Sequence, residues 1–207
     1  MTDERAGSNL QQYGIWIVTG VLAVALLIGA WYLYRYLLYR SGKLGKQKVS
    51  AALKKFGVIR NFKVVDDLNL SYNGRAAHID HMLIGFFGIL FVSTVNDTAE
   101  YYGDAKSEGW TQVTAKTRKK MPNLMQENLH NIDVVREIFS KNDIYNIQME
   151  GVTVFCGSVK KSLIGITGAQ GLMTFKKFKA YLGKAKFDKD NDVDVPGLYG
   201  LIMKYKV

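Results

Sequence analysis

The apolar and polar positions of this 207-residue chain fall into two regimes. From Gly14 to Tyr34 the sequence GIWIVTGVLAVALLIGAWYLY runs roughly 20 residues without a charge, enough for a helix to cross about 30 Å of hydrocarbon. Beyond it the apolar residues come in short runs with polar punctuation. Val49, Ala52, Leu53 and Phe56 recur at helical spacing, which predicts a helix over 47–56 ended by Gly57. Residues 61–71 read as a strand, Tyr72-Asn73-Gly74 as a turn, and 76–85 as a second strand. GILFVSTV (88–95) is apolar enough to be a central strand covered on both faces. A polar segment follows, carrying Tyr101, Tyr102 and Trp110. Pro122-Asn123 then opens a helix to Lys141, with Met125, Leu129, Ile132, Val135 and Phe139 along one stripe. A strand over 151–156, a small strand over 162–167 and a basic helix over 174–182 complete the readable pattern. The last stretch, VPGLYGLIMKYKV (195–207), is too short and too charged to cross a membrane and takes no clear place. The order helix, three strands, helix, strand predicts an α/β domain.

The flanks decide how the long apolar run is read. A buried core helix would be shorter and amphipathic. A cleaved signal peptide would carry a basic leader, which MTDERAGSNLQQ lacks. The run is therefore read as one retained transmembrane helix. Asp3, Glu4 and Arg5 precede it, whereas Arg35, Arg40, Lys43, Lys46 and Lys48 follow it closely. Basic residues stay on the cytoplasmic side, so the expectation is a single-pass protein of the plasma membrane with its N-terminus outside and its C-terminal domain cytoplasmic. Trp16 at one end, and Trp31, Tyr32 and Tyr34 at the other, suit the interfacial belts, with Arg35 and Arg40 as anchors. Membrane lipid is thus the first expected partner.

The formal net charge is +10. Part of that excess is juxtamembrane and is explained by anionic headgroups. The rest is clustered: Lys54–Lys55, Lys116 with Arg118, Lys119 and Lys120, Lys160–Lys161, Lys176–Lys177 with Lys179, and Lys184 with Lys186. A charge run is commonly a solvated face. The sharper reading is a phosphate-tracking surface, which makes nucleic acid a candidate partner through Lys116, Arg118, Lys119, Lys120, Lys176 and Lys177. Tyr101, Tyr102 and Trp110 then offer either base stacking or cover for a sheet edge; packing, with an exposed basic loop, is the expectation. Cys156 is the only cysteine, which excludes an intramolecular disulfide, and within VTVFC it reads as a buried thiol.

Metal-dependent phosphodiester hydrolysis needs carboxylates to hold one or two divalent cations, and a cation or lysine to activate water and stabilise the leaving oxygen. One layout puts an acid on one strand, then an acid and a lysine two residues apart on the next. Period-two alternation turns all three to one face. IDHMLIG (79–85) carries Asp80 in such a place, and GILFVSTVN (88–96) follows it. Together with Tyr102-Gly103, Trp110, NLMQENLHNI (123–132) and the strand ending VTVF, these pieces from about Gly45 to Gly157 resemble the NERD domain (nuclease-related domain), a branch of the PD-(D/E)XK nuclease-like superfamily. The resemblance implies an α/β fold: a helix-strand-strand-strand-helix-strand nuclease-like core with a mixed sheet, preceded by the single transmembrane helix. It divides the chain into a short extracytoplasmic N-terminus (1–12), the transmembrane helix (13–34), a basic linker (35–45), a NERD-like domain (46–157) and a C-terminal extension packed on it (158–207).

The departures from that family carry the functional expectation. Its strand motif reads as an apolar run, then Glu, Thr, Lys, Asn. Here the Glu position is Ser93 and the Lys position is Val95, while Thr94 and Asn96 fit. An acid common after a glycine at the start of the first helix is replaced by Lys46 after Gly45. The active-site remnant is then Asp80, Ser93, Val95 and Gln126, and one carboxylate makes a poor Mg²⁺ site. The expectation is a catalytically inactive module with no cofactor or metal, binding nucleic acid or protein. One alternative is a divalent-metal nuclease using Mg²⁺ with acids relocated to Asp66, Asp67, Glu100 or Asp104. Another is a membrane-assembly scaffold with membrane or cytoplasmic protein partners only, in which GLYGLIM forms an interaction surface or a helix lying on the bilayer. His78 and Asp80 share a strand face, with His81 on the other. With His130 they would make a Zn²⁺ site only if three ligands converged, and structural hydrogen bonding is the expected role. No phosphate-binding glycine loop and no nucleophile-base-acid set is recognisable.

Overall fold

The computed structural model describes residues 3–40, 43–97, 99–114, 116–157, 165–168 and 170–207, with the side chains of 16–38 in the first helix. The Lys160–Lys161 cluster, the first half of the strand expected over 162–167, and the side chain of Arg40 lie outside the described residues. The chain forms two units, 1–41 and 42–207.

The first unit is α1 (Asp3–Arg40). Within it Trp16–Leu38, 23 residues of mean hydropathy 2.1, is long and apolar enough to cross a membrane. Ile17, Val21, Leu26, Leu27 and Leu33 point in all directions around the axis and are exposed. Such all-round hydrophobicity suits a lipid-facing helix and not the one-sided stripe of a surface helix. Trp31 meets Tyr32 edge-on at 5.0 Å, and the Arg35 guanidinium lies 5.2 Å from the Trp31 ring. The helix continues to Arg40, so residues 35–40, expected as linker, are helical.

The second unit runs α2 (Lys43–Val58), β1 (Lys63–Tyr72), β2 (Arg75–Gly85), β3 (Gly88–Val95), β4 (Glu100–Asp104), β5 (Gly109–Val113), β6 (Arg118–Pro122), α3 (Leu124–Lys141), β7 (Met149–Phe155), β8 (Ile166–Thr167), β9 (Leu172–Thr174), α4 (Phe175–Leu182) and α5 (Val195–Lys204). The main sheet has the order β1-β2-β3-β7-β9. Its first three strands are antiparallel neighbours, while β3-β7 and β7-β9 are parallel, so the sheet is mixed. The strand β3 is central, and every position but Thr94 is buried. One face packs under α3 and α5 through Leu68, Ile79, Met82, Phe91, Val135, Ile138, Leu198 and Ile202. The other packs under α2 and α4 through Val49, Leu53, Leu83, Val92, Val154, Phe178 and Leu182. The result is an α/β/α sandwich in the order α2-β1-β2-β3-α3-β7, with a smaller sheet inserted before α3.

Local chemistry fixes the joints. Asn73 (φ 49°) and Gly74 (φ 73°) form a two-residue turn between paired Tyr72 and Arg75, the left-handed geometry that matches strand twist. The side chain of Asn123 accepts from the Met125 N–H and caps α3. The helix α2 ends at Val58, one residue beyond Gly57. Gly57 is buried against Phe62 and Val64; its carbonyl accepts the Arg60 and Phe62 N–H groups, and Asn61 (φ 55°) makes the left-handed exit. On α3 the expected stripe holds at Ile132, Val135 and Phe139, but Leu129 is 53% exposed, and Asn128, Asn131, Val134 and Ile138 also turn inward.

Two stretches fold in ways the pattern did not suggest. The polar segment after β3 holds β4, β5 and β6, so Arg118, Lys119 and Lys120 sit on a strand and not in the expected loop. The unplaced C-terminal stretch forms α5, capped by Asp194, with Leu198 and Ile202 buried and Lys206 bridging to Leu70. Its apolar side is part of the core, which corrects the expectation of a helix lying on the bilayer or a free interaction surface at GLYGLIM.

Candidate functional site

The site begins where two strands part. Pairing of β2 with β3 runs from Gly85–Gly88 to His81–Val92 and stops, while β3 continues to Val95 along β7. At the split Asp80, 14% exposed, accepts the Thr94 N–H on Oδ2 at 2.8 Å. Opposite it on β1, Asp67 takes φ 51° and the alternation slips, so that Val65 and Leu68 face the same core. The helix α3 closes the gap. Asn131 Nδ2 donates to the His78 carbonyl (2.8 Å) and His130 Nε2 to the Ala76 carbonyl (2.9 Å), groups that β3 leaves open as it departs. Ala76, His78, Gln126, Glu127, His130 and Asn131 line an open cleft of about 380 Å³.

The second oxygen of Asp80 carries a cation. Lys46 Nζ lies 2.6 Å from Oδ1. Gly45 makes this possible, since a Cβ there would fall 2.4 Å from Asn96 Cβ; the bare backbone lets α2 approach the end of β3 and sets Lys46 over Asp80. His78 Nε2 lies 3.5 Å from the same Oδ1 and 3.7 Å from Asp67, and its Nδ1 is 2.8 Å from Asn69 Oδ1. The other remnant positions divide. Gln126 lines the cleft and donates to the Ala105 carbonyl (3.1 Å). Ser93 is buried and donates to Asn128 Oδ1 (2.9 Å), whose amide in turn reaches the Val152 carbonyl. Val95 packs with Tyr101, Trp110 and Phe155.

Sequence reasoning missed Glu127. It is exposed at the cleft mouth, yet desolvation there, followed by the negative charge of Asp80, raises its pKa above the ordinary glutamate value, with His78 opposing. The signal was helical spacing: 126 with 130, and 127 with 131, put these four polar residues on one face of α3.

The proposed relocated acids mostly lie elsewhere. Asp66 faces α2, where it accepts from Ser50 Oγ (2.7 Å), Lys54 Nζ (2.6 Å) and His81 Nδ1 (2.7 Å). Burial alone would raise its pKa, but Lys54, Ser50 and His81 outweigh it and hold the carboxyl below its usual value. Glu100 accepts the Tyr102 hydroxyl (2.7 Å), and Asp104 accepts Thr167 Oγ1 (2.6 Å) and the Lys106 N–H (2.8 Å). Only Asp67 comes near Asp80, through His78. The histidines do not converge, because His130 is held by Ala76 and Arg75, and His81 is buried against Asp66. Among the described residues no group of three or more His, Cys, Asp or Glu is placed to hold a metal ion. The groups at Asp80 are a poor donor set for Mg²⁺: an ammonium sits on one oxygen and a backbone amide on the other, Ser93 is hydrogen-bonded to Asn128, and Val95 is packed. Cys156 is half-buried; burial pushes its thiol up to about 11, so it stays protonated at neutral pH.

The basic candidates sit on separate elements. In the small sheet, of order β6-β5-β4-β8, one face is buried through Tyr101, Trp110 and Met121. Tyr101 donates its hydroxyl to Asp97 (2.5 Å), and Trp110 Nε1 donates to the Asp104 carbonyl (3.1 Å). The other face carries the rows Tyr102–Thr111–Lys120 and Glu100–Val113–Arg118. Lys116, Arg118, Lys119 and Lys120 are exposed along this edge, and Lys176 and Lys177 are exposed on α4.

A family model for the nuclease-related domain, NERD, matches residues 41–156, more than half of the chain. No curated protein and no solved structure matches it. The matched stretch takes in α2 through β7, with four of the five strands of the main sheet and Asp80 at their split, and the chain belongs to the NERD (nuclease-related domain) family.

Proposed function

We propose that this chain is a membrane-anchored NERD domain that binds nucleic acid without cleaving it. The observation that carries the reading is the Lys46 ammonium 2.6 Å from Asp80. A cation supplied by the chain itself sits on the one carboxylate that hydrolysis would need for a metal ion. Asp80 then acts as a structural acceptor at the strand split, and Ser93 and Val95 as packing residues. The exposed cations Lys116, Arg118, Lys119, Lys120, Lys176 and Lys177 supply the phosphate contacts.

In this reading α1 is a retained single-pass anchor, with the N-terminus (1–12) outside, the span (13–34) in the plasma membrane and the basic residues 35–45 at the cytoplasmic headgroups. The domain (46–157) and its extension (158–207) are then cytoplasmic. The test uses the full chain in detergent micelles with labelled DNA and RNA. Binding is expected to weaken with salt, with a log–log slope of about 0.9 per neutralised duplex phosphate, and to be indifferent to chelator. Absence of salt-sensitive binding would shift the function to protein partners.

A second reading, a divalent-metal nuclease with a relocated acid, is favoured by one observation: Glu127 lines the same cleft as His78, whose Nε2 lies 3.5 Å from Asp80. Its mark would be chelator-sensitive cleavage lost on Glu127→Gln.

A further inference from the structure

We infer that the open face of the small sheet binds single-stranded nucleic acid, with Tyr102 as a stacking platform and Arg118 and Lys120 as phosphate contacts. The inference rests on the nucleic-acid reading above and names the surface and the strandedness. Among the described residues the face is opposite the buried one, so Tyr101, Trp110 and Met121 are excluded from contact and Tyr102 is the aromatic left outside, 36% exposed. Its ring is held in place: the hydroxyl donates to Glu100, and Gly165 lies against it so closely that a Cβ would fall 2.4 Å from Cδ1. A fixed, partly exposed ring stacks a base with little loss of side-chain freedom.

Register supplies the rest. Tyr102 lies opposite Thr111 and Thr111 opposite Lys120, which puts the lysine two strands away, about 10 Å at ordinary strand spacing. Arg118 is two residues along β6 on the same face, near enough for its charge to be felt at Tyr102. Thr111 and Val113 between them are short, so the floor is low. Two acids share this side at β4: Glu100 accepts the Tyr102 hydroxyl, and Asp104 accepts Thr167 Oγ1 and the Lys106 N–H, which hold both carboxylates at that strand while Arg118 and Lys120 lie two strands away on β6. A flat sheet with one exposed ring reaches a base only when that base is unpaired, because duplex bases are stacked on each other and major-groove readout needs a protruding helix or ribbon.

The experiment measures fluorescence anisotropy of a labelled single-stranded oligonucleotide and of its duplex, against the full chain in detergent micelles over a salt series. The variants are Tyr102→Leu, the pair Arg118→Gln with Lys120→Gln, and on α4 the pair Lys176→Gln with Lys177→Gln. All five positions are exposed, and unchanged thermal unfolding confirms the fold. The expected result is a preference for the single strand, weakened about tenfold by Tyr102→Leu, with duplex binding little altered. The Arg118/Lys120 pair is expected to lower the salt slope by about 1.4, and the α4 pair to lower it less. Unchanged single-strand affinity in Tyr102→Leu, or loss of binding carried by the α4 pair alone, would overturn this surface and leave the nucleic-acid reading standing. No binding of either oligonucleotide by the unaltered chain would overturn that reading itself.

Discussion

At Asp80 two donors divide the carboxylate, the Thr94 amide on one oxygen and the Lys46 ammonium on the other, and their removal should not cost the same. Asp80→Ala strands a backbone N–H at the strand split and is expected to destabilise by about 1–3 kcal/mol. Lys46→Ala removes an ammonium that is 40% exposed and is expected to cost less than about 1 kcal/mol. Urea unfolding of the two variants separates them. Acid dependence follows from Asp66 and Glu127 with opposite signs. The folded-state pKa of Asp66 is lowered, so its contribution is fully present above the unfolded value near 3.9 and lost as pH falls through the folded one. Glu127 is raised, so its contribution is present below the unfolded value near 4.3 and lost as pH rises through the folded one. Unfolding of Asp66→Asn against the parent, from pH 7 to 3, is expected to show a deficit that shrinks toward acid, while Glu127→Gln gains on the parent at pH 7 and loses that gain toward acid. Asp80, Ser93, Val95 and the departure at Lys46 were legible as single letters of a strand and helix motif. Glu127 was legible only as a position on the polar face of α3, because its nearness to the strand split depends on how far α3 intrudes between β2 and β3.

Among the elements, those with a clean period were readable: β3 as a central strand, the Asn73-Gly74 turn, and α3 behind its asparagine cap. Those held by tertiary contact were not. The strands β4, β5 and β6 share three aromatics, two on β4 and one on β5, among Gly, Asp and Lys, and only one face is buried, so their alternation is weak over five residues each. The helix α5 carries glycines at 197 and 200 and is stabilised by the sheet face it covers. Leu198→Ala is therefore expected to cost about 2–5 kcal/mol, as for a core leucine, whereas a helix lying on a bilayer would leave the unfolding midpoint unchanged. Gly74→Ala, forced to keep φ 73°, is expected to cost about 1 kcal/mol, read by the same denaturation. The widening of the α3 stripe has the same origin: Asn128 and Asn131 turn inward because Val152 and His78 offer them carbonyls there, which no hydrophobic count anticipates.

For the whole molecule, the apolar helix and the sandwich make separate claims. An α1 that is retained and spans the bilayer keeps the chain in the membrane fraction through alkaline wash; release into the wash would mean a cleaved or peripheral segment. The NERD core sets the fold but not the reaction, since one fold hosts many functions. The central claim is that the core binds without cutting, and the most direct measurement incubates the full chain in detergent micelles with labelled single- and double-stranded DNA and RNA, with Mg²⁺ or Mn²⁺ and with chelator. The account predicts retained substrate length in every lane, alongside salt-sensitive binding. Chelator-sensitive cleavage that Asp80→Ala and Glu127→Gln both abolish would contradict it and restore the enzyme.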